Sequence, residues 1–143
     1  MLGTKTYPEN YIADSKAKLE GDLQAYRLQV GNALDEDFSV RFFNNLVLVM
    51  NYMFVTRSED VEGKEGNPLN EVRAISNSLL LNGGKFQPEK QPHWPDTAGP
   101  SANLPAERTV LGLEPGEEIK LDESDFMRLA EAFFAALEKK FLE

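Results

Sequence analysis

Phe38-Ser-Val-Arg-Phe-Phe-Asn-Asn-Leu-Val-Leu-Val-Met-Asn-Tyr-Met-Phe-Val55 is the most apolar stretch of the chain, and its reading decides the fold. Phe42, Leu46, Val49, Met50 and Met53 recur at steps of four, three, one and three, which lines one face of an α-helix. Phe43, Val47 and Phe54 widen that face beyond the stripe of a surface helix. The spacing predicts a central helix over about 38–56, buried in a bundle, with the rest of the chain packed around it.

Upstream, Ile12, Leu19, Leu23, Tyr26, Val30 and Leu34 keep helical spacing, with Lys16, Lys18, Glu20, Asp22 and Arg27 on the other sides. This predicts an amphipathic helix over about 8–34. Asp35-Glu36-Asp37 then puts three carboxylates at the start of the central helix, where its dipole favours them by about 0.3–1 kcal/mol each. Helix capping accounts for them better than a cation site does. Downstream, Arg57 to Gly66 is charged and aperiodic, a surface connector. Asn67 as N-cap, Pro68 at the first helical position and Gly83-Gly84 at the end then bracket a helix over 68–82. Its expected buried stripe is Leu69, Val72, Ile75 and Leu79, with Asn70, Arg73 and Asn77 on an opposite face.

From Lys85 to Arg108 the chain changes character, because Pro88, Pro92, Pro95, Pro100 and Pro105 deny any helix an uninterrupted run. An irregular proline-rich strap over 85–108 is expected, pinned or made sticky by Phe86 and Trp94. Thr109 to Leu121 alternates on both sides of Pro115-Gly116, a pair suited to a type II turn, which predicts a small β-hairpin at 109–121. Asp122 and Asp125 then open a last helix over 123–142, with Leu121 and Phe126 placed as a hydrophobic staple. Phe126, Leu129, Ala130, Phe133, Leu137 and Phe141 form its core face. Met127, Phe134 and Leu142 leave apolar surface on a second side, a candidate interface.

The 143 residues fit one mainly α domain of four helices, 1–143, large enough for a core without staples. With no cysteine, disulfides, thiolate metal sites and Cys nucleophiles are excluded. Twenty-four acidic residues against 15 basic give a net charge of −9, which repels phosphate backbones and anionic lipid. Direct nucleic-acid and membrane partners are therefore not expected. The start, Met-Leu-Gly-Thr-Lys-Thr-Tyr-Pro, has no apolar signal core and the Leu46–Val55 run is too short to span a bilayer, so the expected location is cytoplasmic.

Catalytic and cofactor signals are sparse. His93 is the only histidine, so neither a structural zinc site, which takes about four His or Cys ligands, nor a serine triad has support. The acidic run from Glu114 to Asp125 lacks the spacing of a calcium loop, and no phosphate-cradling glycine motif is present. No metal and no cofactor are expected. One polar constellation stands out: Arg41, Asn44, Asn45, Asn51 and Tyr52 gather on one side of the apolar helix, facing solvent or, with Glu71 and Arg73 from the next helix, a pocket.

Leu-Gly-Leu-Glu-Pro-Gly-Glu-Glu-Ile-Lys-Leu (111–121) resembles the hairpins of swapped-hairpin transcription-factor domains, but the basic residues those domains place on DNA are absent, so that function does not carry over. Over a longer span, Gly-Asn-Pro-Leu-Asn-Glu-Val-Arg (66–73), this hairpin phrase and Asp125 to Phe134 together resemble an uncharacterised family of small bacterial proteins. That resemblance implies no activity and no site. The functional expectation is thus a protein-interaction module, a homodimer or a partner of another protein, with Trp94, Met127, Phe134 and Leu142 as interface residues and no evident catalysis. The alternative is a small-molecule binder or enzyme using Arg41, Asn45, Asn51, Glu71 and Arg73 around a pocket beside the central helix.

Overall fold

The computed structural model describes residues 8–30, 36–58, 67–87 and 109–141. The strap beyond residue 87, with His93 and Trp94, lies outside them, as does Leu142. Four helices account for most of the described chain: α1 (Glu9–Val30), α2 (Glu36–Ser58), α3 (Pro68–Leu81) and α4 (Glu123–Phe141). They share one core cluster.

Aromatic pairs set the register of three of the helices. Tyr26 of α1 meets Phe42 and Phe43 of α2 at ring-centroid distances of 4.7 and 4.9 Å, and Phe43 meets Phe126 of α4 at 6.1 Å. At the other end, Phe54 takes Tyr11 at 5.4 Å and Phe133 and Phe134 at 5.7 Å each. α2 and α4 therefore run parallel, and α1 runs antiparallel to both. The Tyr11 hydroxyl donates to the Met53 carbonyl and the Tyr26 hydroxyl bonds Ser39, so both tyrosines bury a ring edge while finding a polar partner.

The buried face of α2 is centred on Phe43, Leu46, Val47, Met50 and Phe54, whereas Phe42, Val49 and Met53 are only half-buried. The helix buries an apolar face as its spacing predicts, but one in which Phe43, Val47 and Phe54, expected at its flanks, take the places expected for Phe42, Val49 and Met53. The helix with least exposure is not α2, however, but α3. Every residue from Leu69 to Ser76 is buried, including Asn70, Glu71, Arg73 and Ser76. α2 and α4 pack against this helix, and segments 84–87 and 109–113 bond its polar side.

The ends of α3 and α4 form as their sequences dictate. Asn67 and Asn70 exchange side-chain and backbone bonds at 2.9 and 3.1 Å, and Asp122 and Asp125 do the same at 2.7 and 3.2 Å. Both are capping boxes. α3 stops where the Asn82 and Gly84 amides converge on the Ser78 carbonyl, with Gly83 and Gly84 in the left-handed region that Gly adopts freely.

The β-hairpin expected at 109–121 does not form. Its turn does: Gly116 has φ 89° and the Glu117 amide donates to the Glu114 carbonyl, as in a type II turn at Pro115-Gly116. The flanks are spoken for elsewhere. The Val110 and Leu111 amides donate to the Glu71 carboxylate, Gly112 to Thr109 Oγ1 and Glu114 to the Glu117 side chain, and Gly112 at φ 66° breaks the extended run. A first strand with its donors consumed cannot build a ladder. The second flank pairs instead with the chain leaving α3, through an isolated antiparallel bridge between Lys85 and Glu118.

Candidate functional site

Two places gather polar or accessible groups. The first is a buried node on α3. The Glu71 carboxylate accepts from the Val110 amide at 2.8 Å and the Leu111 amide at 3.0 Å. Arg128 of α4 donates to the Val110 carbonyl at 3.3 Å and pairs with Asp125 at 2.9 Å. Burial raises the Glu71 pKa above its usual value of 4.5, opposed by the two amide bonds and by the Arg128 charge. A carboxylate whose two oxygens are each engaged by a backbone amide holds the 110–111 loop to α3.

Asn44 plays a matching part from α2. Its Nδ2 donates to the Ile119 carbonyl at 3.0 Å and its Oδ1 accepts from the Leu121 amide at 3.3 Å. One side-chain amide thus satisfies the Ile119 carbonyl and the Leu121 amide, as a neighbouring strand would, just past the point where pairing with the chain leaving α3 ends. The other members of the constellation scatter. Arg41 and Asn45 are exposed, Asn51 is half-buried and Tyr52 is 78% exposed, while Glu71 and Arg73 lie buried on α3. No hydrogen bond or ion pair joins Arg41 or Asn45 to Glu71 among the described residues.

The second place is a groove of about 440 Å³ between α1 and α4. Leu19, Leu23, Phe126 and Phe134 form its floor, and Ala130, Ala135 and Met127 its α4 wall. It follows from the sequence of α1, whose apolar stripe of Ile12, Leu19, Leu23 and Tyr26 is a single residue wide and cannot cover the broader apolar side of α4. Ion pairs bridge the two helices at each end: Lys16 to Glu138 at 2.5 Å and Arg27 to Glu123 at 2.6 Å. Arg27 also reaches Met127 Sδ at 3.7 Å, and Lys16 lies 5.4 Å from the centre of the Phe134 ring.

Of the interface residues expected from the sequence, Met127 is 44% exposed on the groove wall, whereas Phe134 is a floor residue only 6% exposed. Reading the sequence missed α1 as the second wall. The signal was its narrow stripe, set against the two-sided apolar pattern of α4.

Among the described residues no three His, Asp or Glu side chains are placed to hold a metal ion, and no helix is long and apolar enough to cross a membrane. No protein-family model, no curated protein and no solved structure matches the chain.

Proposed function

We propose that this protein is an interaction module that uses the groove between α1 and α4 as its contact surface. One observation carries the reading: an apolar channel open to solvent on a chain with a strongly charged surface, framed by ion pairs that fix its ends. Self-association and association with another protein are the two forms it can take, and a cytoplasmic setting goes with either. No catalytic role is part of this reading. The small-molecule alternative needs Arg41, Asn45, Asn51, Glu71 and Arg73 around one space, and no observation favours it over the groove.

Ala135 is exposed on the groove wall, so Ala135→Arg obstructs the channel without entering the core. The test compares wild type and Ala135→Arg by sedimentation velocity across a concentration range, and by capture from native extract. Association that is present in the wild type and lost in a variant with an unchanged melting curve supports the reading. Equal behaviour of the two proteins overturns it.

A further inference from the structure

We infer that the occupant of the α1–α4 groove is a cationic amphipathic helix from another protein, rather than a second copy of this chain; the inference rests on the interaction reading above. Shape comes first. Between Phe126 and Glu138, the outermost groove residues of α4, the helix rises about 18 Å, roughly three helical turns. A channel of that length, with an apolar floor and Ala130 and Ala135 on one wall, matches a helix that presents anchors at i, i+3 or i+4, and i+7. The small alanines let a third backbone come close, as small residues do wherever helices pack tightly.

Charge then selects the partner. Lys16 is already paired with Glu138, and Arg27 with Glu123. Glu20 on the α1 rim and Glu131 on the α4 rim make no ion pair among the described residues; Glu20 accepts from the neutral Gln24 side chain and acts on Arg27 only at longer range. The groove lining of Lys16, Glu20, Glu131 and Glu138 is therefore net negative. A second copy would bring the same two carboxylates outside ion pairs and the same overall charge of −9 against it. Lysine or arginine flanking the apolar anchors of a foreign helix would neutralise Glu20 and Glu131 and speed encounter at low salt.

The experiment selects binders to the whole chain from a display library of amphipathic helices. Leu, Met and Phe are offered at the anchor positions, and Lys, Arg, Gln and Glu at the flanking ones. The Ala135→Arg protein serves for counter-selection, and sedimentation of the wild-type chain alone runs in parallel. The expected result is enrichment of Lys and Arg at the flanks. Binding of the enriched peptides should weaken about tenfold in a Glu20→Gln, Glu131→Gln double variant and weaken with added salt, but hold in Glu118→Gln outside the groove. Enrichment of Glu or Gln at the flanks, or peptides that bind the double variant equally well, would overturn the inference while leaving the groove a docking surface. A wild-type chain that dimerises, with Ala135→Arg monomeric, also overturns it and leaves the interaction reading standing. If no peptide is selected and the chain stays monomeric at every concentration, both fall.

Discussion

α2 and α3 are neighbours that are covered in different ways. α2 contains the chain's most apolar stretch, Phe38 to Val55, yet leaves Arg41, Asn45 and Tyr52 in water, whereas α3 carries Asn70, Glu71, Arg73, Ser76 and Ser78 and is buried over nearly its whole girth. Averaged over their lengths the two helices are about equally apolar, so composition alone does not tell them apart. The difference lies in what covers each one. α2 buries most of its inner face against helices, which takes apolar side chains at helical spacing, and bonds irregular chain through Asn44. α3 is covered on its polar side by irregular chain, and irregular chain has backbone amides that need acceptors. Polar residues on α3 supply them: Glu71 holds residues 110–111, and Ser78 Oγ accepts from the Gln87 amide at 3.0 Å. Apolar packing dominates on α2, and polar satisfaction dominates the covering of α3.

The contrast breaks most visibly at Phe54, which is fully buried and touches the rings of Tyr11, Phe133 and Phe134. Phe54→Ala removes the joint of α1, α2 and α4 and leaves a cavity. The expected loss is about 3–5 kcal/mol, read as a lower urea midpoint with an unchanged slope. A loss below about 1 kcal/mol would mean that the aromatic end of the bundle is not a packed core.

Glu71 gives the next largest effect. Glu71→Ala leaves the Val110 and Leu111 amides without acceptors, at about 1–3 kcal/mol for a donor that stays dry. Partial rehydration of the loop brings the expected total to about 2–3 kcal/mol. The pH dependence has a definite sign. Because burial raises the folded pKa above 4.5, the group's contribution to stability is complete below the unfolded value and is lost as pH rises through the folded one. The wild type should therefore lose stability relative to Glu71→Gln as pH climbs from 4.5 toward neutrality. Parallel urea midpoints for the two proteins across that range would show that Glu71 does not titrate differently in the fold.

The legible parts of the fold were those specified locally. Asn67-Pro68 and Asp122 through Asp125 announced the starts of α3 and α4 because a capping box needs only residues three apart. Pro115-Gly116 announced its turn for the same reason. The hairpin failed because alternation within 109–121 says nothing of a rival acceptor 39 residues away, and Glu71 is that acceptor. Burial of the α3 polar face was hidden in the same way, since its partners come from distant irregular chain. The groove was half legible. The apolar excess of α4 showed in Met127 and Phe134, but its far wall depends on how α1 lies across it, which periodicity does not encode.

Asn44 and Asn45 sharpen the comparison to its finest point, being one residue type at adjacent positions of one helix. A step of one residue turns a helix by about 100°, enough to take a side chain from a packed face to water. Asn44 completes two backbone groups of segment 119–121, whereas Asn45 is exposed. Asn44→Ala should cost about 1–2 kcal/mol, because an uncoupled carbonyl and amide must find water where Ile119 and Leu121 are buried. Asn45→Ala should stay within about 0.5 kcal/mol, as substitutions at exposed helix positions do, and could gain slightly from the helix preference of Ala. Paired thermal melts read the difference directly. Equal melting temperatures would mean that Asn44 does not stand in for a strand and that α2, unlike α3, holds no irregular chain by polar bonds.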